Sequence, residues 1–186
     1  IDRALESPWI DFLSAPKSYA YCMAGEPGES QGPGQSVARK KLWVEENDMR
    51  SHHAMASDPI RAPKTLEESI TCYWREIYRA LTGGFTFWWM NLHAPTDDWY
   101  TDETLIAMFA KQSEFFKKWS PVPRRGTAEV LWVEDDQSLG HMGARWNLSK
   151  SIRHRLNREV RQCGAPVDHV RIEDLEVLDL SRYKFI

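Results

Sequence analysis

The sequence has little of several features that mark particular classes of protein. It contains only three cysteines, and the wide spacing of Cys22, Cys72 and Cys163 excludes a disulfide framework and a cysteine metal cluster. No apolar run is long enough to cross a bilayer, and no signal-peptide pattern opens the chain. Lys and Arg total 24 against 27 Asp and Glu, so the net charge of −3 gives no field that attracts nucleic acid or anionic lipid. We therefore expect neither a membrane partner nor a nucleic-acid partner.

A glycine-rich phosphate loop after a strand is also absent. The pair Gly83-Gly84 precedes its strand, which argues against a nucleotide-binding β/α protein. Apolar residues make up 42% of the chain and charged residues 27%, values typical of a globular protein. The nine tryptophans are unusual for 186 residues. A bulky core is the commoner reason to carry an indole, and stacking against a sugar ring is the alternative.

The most informative stretch runs from Lys40 to His53. A short apolar strand, Leu42 to Val44, is followed at once by ionisable and polar residues: Glu45, Glu46, Asn47, Asp48, Arg50, His52 and His53. A buried strand that ends in such a group is typical of a site at the C-terminal mouth of a β/α unit. A solvated turn after the strand is the alternative, because Asn-Asp is common in turns and charged residues are mostly exposed.

Hydrophobic periodicity predicts alternating strands and helices around this stretch. Thr65 with Glu68 forms a capping-box pattern for a helix from Thr65 to Leu81. We also predict strands over Trp9 to Leu13 and Phe85 to Met90, a loop over Ser51 to Lys64, and a helix over Asp102 to Trp119 with Thr101 as its N-cap. Alternation of this kind indicates parallel β/α units.

The second half of the chain begins after the segment from Pro121 to Gly126. We predict strands over Ala128 to Val133 and Val167 to Ile172, a helix over Asn147 to Cys163, and a further apolar run from Tyr183. The basic residues of that helix are interpreted as its solvent face rather than as a nucleic-acid surface. The acids Glu134, Asp135 and Asp136 are either a solvated turn, which is commoner, or a divalent cation site.

Two groups of segments resemble known protein families. The segment KLWVEENDMRSH, preceded by SAPKSYAYCMAGEPG and followed by GGFTFWWMNL, resembles the C-terminal part of the catalytic barrel in glycoside hydrolases related to family 42, the β-galactosidase group. The segments AEVLWVEDDQS, GAPVDHVRIEDL and LSRYKFI resemble the start of the trimerisation domain that follows that barrel. The resemblance implies an α/β fold, with the C-terminal part of a (β/α)8 TIM barrel over 1–122 and the beginning of a flavodoxin-like (Rossmann-like) domain over 127–186.

The same resemblance implies a retaining glycosidase that acts on a β-linked, galactose-like sugar. Its nucleophile lies at the end of the seventh barrel strand, which maps onto Glu46, with Glu45 as the alternative because the two glutamates are adjacent. Only one of the two can point into the barrel, since side chains alternate along a strand. The acid/base glutamate of the family lies upstream of Ile1, so we expect the 186 residues alone not to turn over substrate. No cofactor and no metal are implied.

Further residues are predicted to contact the carbohydrate substrate. Asp48 and Asn91 are candidates for hydrogen bonds to hydroxyl groups, Arg50 or His52 for holding the nucleophile ionised, and Trp88, Trp89 or Trp99 for stacking. The predicted substrate-binding set is Tyr21, Glu26, Asp48, Arg50, Trp88, Trp89, Asn91 and Trp99. The trimerisation-type domain implies a homo-oligomer such as a trimer. The competing hypothesis is a non-catalytic carbohydrate-binding or oligomerisation module.

Overall fold

The structure is a computed structural model, and it describes most of the chain. The described residues are 2–17, 22–28, 34–56, 61–91, 99–124, 126–141 and 155–186. Tyr21 and residues 147–154 of the predicted basic helix lie outside them.

A three-stranded parallel sheet forms the first half of the chain. Strands β1 (Phe12–Pro16), β2 (Leu42–Asn47) and β3 (Thr86–Trp89) pair in the order β1-β2-β3. Val44 lies opposite both Ser14 and Thr86, which fixes the register. The predicted parallel pairing is confirmed. The first strand begins at Phe12 rather than at Trp9, whose side chain is 89% exposed.

Within the described residues, four helices accompany this sheet: α1 (Asp2–Glu6), α2 (Gly34–Lys40), α3 (Leu66–Gly83) and α4 (Glu103–Trp119). The predicted cap of α3 is confirmed, because the Thr65 hydroxyl accepts from the backbone N–H of Glu68. The reciprocal bond of a capping box is shifted by one residue, since the Glu68 carboxylate accepts from the N–H of Lys64 rather than from that of Thr65. Gly84 ends the helix with a positive φ of 79°, a conformation that glycine adopts without strain. The predicted loop over Ser51 to Lys64 contains a 3-10 helix, His52–Ala56.

Replacing Thr65 by alanine is expected to lower the free energy of unfolding by about 1 kcal/mol, because the N–H of Glu68 loses its acceptor. Thr65→Ser keeps a capping hydroxyl and is the matched control, with an expected change below about 0.5 kcal/mol. Urea unfolding followed by circular dichroism measures both. Equal losses in the two variants would contradict a capping role.

Helix α4 begins one residue later than predicted. Asp102 rather than Thr101 is its N-cap, since one carboxylate oxygen, Oδ1, accepts from the backbone N–H groups of Thr104 at 2.7 Å and Leu105 at 3.3 Å. An ionised carboxylate binds these donors more strongly than a hydroxyl does, and its charge suits the positive end of the helix.

The two faces of the first sheet have different environments. Trp43, Glu45 and Asn47 point toward the helices, and Trp43 packs with Val37 of α2 and Ala80 of α3. We call this side the helix-covered face. The opposite side, the open face, carries Phe12, Leu42 and Trp88, with exposed fractions of 54%, 51% and 42%. Parallel sheets usually bury both faces, so three large apolar side chains exposed on the open face are unusual.

A second parallel sheet forms the second half. Strand β4 (Val130–Glu134) pairs with β5 (Val167–Arg171), and Val130 also forms a parallel bridge with Phe185. Strand β4 therefore lies between β5 and the segment around Phe185. Short helices α5 (Asp136–His141) and α6 (Asn157–Arg161) and the 3-10 helices Ile172–Glu176 and Leu180–Arg182 complete this half. The predicted helix ends at Arg161 rather than at Cys163.

The two halves contact each other through α2 and β5. The backbone N–H of Arg171 donates to the Ser36 hydroxyl, and that of His169 donates to the Gln35 side chain. The Arg171 guanidinium is almost fully buried and pairs with Asp2 and Asp136. Asp136, one of the acids of the predicted turn or cation site, thus has a structural partner in Arg171. Arg171 of β5 therefore links helix α1 to helix α5.

The chain is a mixed α/β protein with small parallel sheets. Among the helices of the described residues, none is long and apolar enough to cross a membrane.

Candidate functional site

The carboxyl ends of the three parallel strands lie at one edge of the first sheet. The residues that follow them in sequence, including Lys17, Asp48 and Asn91, are therefore brought to the same end. The backbone ties this edge together, because Lys17 N–H donates to the carbonyl of Glu46 and Met90 N–H donates to that of Asn47.

The two adjacent glutamates of β2 point to opposite faces. Glu45 is fully buried on the helix-covered face, where its carboxylate pairs with the Arg79 guanidinium of α3. The indole N–H of Trp43 lies 3.4 Å from the second oxygen of Glu45. Glu46 is partly exposed and belongs to the open face. Of the two carboxylates, the one held in an internal ion pair is that of Glu45.

The adjacent tryptophans of β3 separate in the same way. Trp88 is the register partner of Glu46, so both side chains lie on the open face. Trp89 lies on the helix-covered face and packs against Tyr73 and Phe109, with ring centroids 4.9 Å and 5.5 Å away. Trp89 is therefore a core residue, and Trp88 is the tryptophan placed beside Glu46.

Asp48, Arg50 and Trp99 form one buried group just beyond β2. The guanidinium of Arg50 donates to the Asp48 carboxylate at 2.9 Å and to the Asp48 carbonyl at 2.8 Å. It also lies over the Trp99 ring, 4.9 Å from the centroid. Trp99 is only 4% exposed, so this indole serves to hold Arg50 rather than to present a free stacking surface.

The remaining predicted site residues lie in different surroundings. Asn91 is exposed and follows β3 closely. The carboxylate of Glu26 forms a two-point ion pair with Arg158 of α6, which places it at the junction of the two halves. Tyr21 lies outside the described residues.

Two tyrosines hold the ends of β2 and β3 together. The hydroxyl of Tyr73 donates to the carbonyl of Met49, and that of Tyr100 donates to the carbonyl of Met90 at 2.9 Å and lies 3.3 Å from that of Met49. Burial raises the pKa of both phenols, so both stay protonated and can donate. The chain that follows β2 is thereby fixed to the chain that follows β3.

Sequence reasoning missed a buried charge cluster beneath this edge. Lys17 and Glu76 are both fully buried and form an ion pair. Arg75 and Arg79 each donate to a different oxygen of Glu76 at 2.9 Å, and Arg79 reaches on to Glu45. One signal was present in the sequence, since Glu76 lies on the predicted apolar face of α3 between Tyr73 and Ile77.

A second missed group consists of His52, His53 and Asp102. The Nε2 atoms of both histidines lie 4.0 Å from Oδ2 of Asp102, and the two imidazole centroids are 4.1 Å apart. Burial and the neighbouring His53 lower the pKa of His52, which favours its neutral form. Asp102 is 50 positions beyond His52 in the chain, so no local motif indicated the group.

Comparison of the chain with protein-family models, with curated proteins and with solved structures found no match. The class that the fold defines is that of a mixed α/β protein with a polar group at the carboxyl edge of a parallel sheet.

Proposed function

We propose that this chain belongs to a retaining glycosidase that acts on a β-linked, galactose-like sugar, with Glu46 as the nucleophile. The observation that carries the proposal is the placement of Glu46. Its side chain lies on the open face near the carboxyl end of a parallel strand, beside Trp88, whereas Glu45 is held by Arg79 on the other face. A catalytic carboxylate must reach the substrate, and Glu46 is the one that can.

The strand arrangement supports the C-terminal part of a TIM barrel for the first half. Barrel strands are all parallel, each pairs with the next one along the chain, and the helices cover the outer face. Strands β1 to β3 pair in chain order, and the helices pack on one face. In this proposal the open face is the inside of the barrel, and strands from outside the 186 residues complete it.

The second sheet supports a flavodoxin-like beginning. A flavodoxin-like sheet has its first strand between the second and the third, in the order 2-1-3. Here β4 lies between β5 and the segment around Phe185. The proposed homo-oligomer forms through this half of the chain, as the resemblance to the trimerisation domain implies.

The chemistry uses two carboxyl groups about 5 Å apart. The Glu46 carboxylate attacks the anomeric carbon while the bond to the leaving oxygen breaks, and a carboxylic acid supplied from outside these residues protonates that oxygen. Water then attacks the covalent glycosyl–enzyme ester, the second carboxylate accepts the proton, and Glu46 is released. Trp88, as the register partner of Glu46, provides an indole face for the sugar ring.

A 2-deoxy-2-fluoro-galactoside with a good leaving group tests the assignment in the full-length protein that contains this sequence. It forms the glycosyl ester but slows its hydrolysis, so the label is expected on the peptide that contains Glu46, in a 1:1 ratio by mass spectrometry. Glu45→Gln is the matched control and is expected to be labelled as the wild type is, whereas Glu46→Gln is expected not to be.

A non-catalytic carbohydrate-binding or oligomerisation module is the competing function, and it predicts a different result. Such a module would bind galactosides without forming any ester. Saturable sugar binding together with absence of label on every carboxylate would therefore refute the glycosidase proposal.

A further inference from the structure

The group formed by His52, His53 and Asp102 lies outside the proposed Glu46 site and has the composition of a metal centre. We propose that His52 Nε2, His53 Nε2 and Asp102 Oδ2 bind one zinc ion, or a divalent ion of similar chemistry, with water as a further ligand. The proposed glycosidase chemistry requires no metal, so this site is independent of that function.

The three ligand atoms already converge. Each residue offers one atom, and all three atoms lie within 4.8 Å of one another. Each histidine nitrogen is 4.0 Å from the carboxylate oxygen. Two ligands on one tetrahedral zinc ion are about 3.3 Å apart, given bonds of about 2.0–2.1 Å. The two nitrogen–oxygen distances therefore need to shorten by about 0.7 Å and the nitrogen–nitrogen distance by at most about 1.5 Å, changes within reach of side-chain torsions.

The hydrogen bonds around His52 leave the correct nitrogen available. Ser69 Oγ donates to the carbonyl of Thr65, so it acts as an acceptor toward His52 Nδ1, which lies 3.2 Å away. The proton is then on Nδ1, and Nε2 presents its lone pair toward Asp102. A histidine ligand held by an acceptor at its other nitrogen is the usual arrangement in metal sites.

The two oxygens of the Asp102 carboxylate have different roles. Its Oδ1 atom caps α4 by accepting from the N–H groups of Thr104 and Leu105. Its Oδ2 atom faces the two histidines. The cap fixes the orientation of the carboxylate, so this oxygen is positioned before any ion arrives. The negative charge also offsets the positive end of the α4 dipole, which would otherwise oppose a cation.

The donor set selects the class of metal. Two imidazole nitrogens and one carboxylate oxygen, with an open position for water, suit zinc and other first-row divalent ions. Magnesium and calcium prefer all-oxygen sites and are expected to bind poorly. The side chain of His53 is 37% exposed, so an ion has access from solvent. A bound ion would join the 3-10 helix after β2 to the first turn of α4.

Calorimetric titration of the EDTA-treated full-length protein with zinc tests the proposal. We expect one ion per chain, and substitution of cobalt is expected to give the visible absorption bands of a four-coordinate site. His53→Ala and Asp102→Asn are each expected to weaken zinc binding by more than about 100-fold, which exceeds the usual loss from changing an outer-shell residue. Asp102→Asn keeps a residue that caps helices well, so α4 should stay folded.

His141→Ala is the control, because it removes an exposed histidine from α5. Its zinc affinity is expected to equal that of the wild type. The proposal is overturned if the wild type takes up no stoichiometric zinc, or if zinc affinity survives both His53→Ala and Asp102→Asn. Zinc is also expected to raise the melting temperature of the wild type and of His141→Ala but not that of the two site variants.

Discussion

Replacing Glu46 by glutamine in the full-length protein is expected to lower kcat/KM on an aryl β-galactoside on the order of 10⁴-fold or more. Glutamine has nearly the same shape but no charge, so it cannot attack the anomeric carbon. Glu46 is partly exposed on the open face. The free energy of unfolding is therefore expected to change by less than about 0.5 kcal/mol.

The adjacent Glu45→Gln variant provides the matched control, because the expected effects are reversed. Glu45 is fully buried and paired with Arg79, so the loss of its charge is expected to lower the free energy of unfolding by about 2–4 kcal/mol. Its kcat is expected to stay within about threefold of the wild type, since it faces away from the proposed substrate. If Glu45→Gln lost activity and Glu46→Gln kept it, the assignment of the nucleophile would be wrong.

The contrast between these two residues illustrates what the sequence can predict. Alternation along a strand required that one glutamate face each way, but it gave no sign of which one. Which glutamate faces inward depends on which side of the sheet the helices pack against. Trp43 packs with Val37 of α2, but the contacts with α3 come from far along the chain, since Ala80 is 37 positions beyond Trp43 and Arg79 is 34 positions beyond Glu45. The same reasoning separates Trp88 from Trp89.

Local signals were the most reliable. The apolar stripe and the capping box located α3 to within two residues at its end, because both features depend on neighbours three or four positions apart. The cap of α4 was misplaced by one residue, since Thr101 and Asp102 are both good caps and only backbone geometry distinguishes them. The first strand was misplaced because Trp9, though apolar, is exposed.

The long-range charge groups could not be predicted from one sequence. Lys17 and Glu76 are brought together by the packing of α3 against the end of β1, and the pairing of Glu76 with its sequence neighbours Arg75 and Arg79 gives no sign of Lys17. The group of His52, His53 and Asp102 arises in the same way, from a 3-10 helix and a helix cap that pack together. In both cases, ionisable residues that are far apart in the sequence meet only through the tertiary structure.

Glu76→Ala is expected to lower the free energy of unfolding by about 3–5 kcal/mol, because it leaves the buried Lys17 ammonium without its counter-charge. Arg75 and Arg79 also donate to Glu76. In the variant, these two cations and Lys17 would stay close together with one carboxylate fewer to balance their charges. Urea unfolding at pH 7 measures the loss. Glu67→Ala, an exposed position on the same helix, is the control and is expected to change the value by less than about 0.5 kcal/mol. A loss below about 1 kcal/mol for Glu76→Ala would show that the pair is not needed to keep Lys17 buried.

The Glu76 carboxylate also makes the free energy of unfolding depend on pH in the acidic range. Burial alone would raise the pKa of Glu76, but attraction to Lys17, Arg79 and Arg75 outweighs burial and holds the pKa well below its ordinary value. The unfolded chain takes up a proton at this group near pH 4.3, whereas the folded chain resists protonation to lower pH. The contribution of Glu76 is thus fully present above about pH 4.3 and is lost as the pH falls below it. Glu76→Gln has no such proton to bind, so the difference in melting temperature between wild type and Glu76→Gln is expected to shrink between about pH 6 and about pH 3. A difference that stayed constant over that range would mean that Glu76 contributes through packing rather than through its charge.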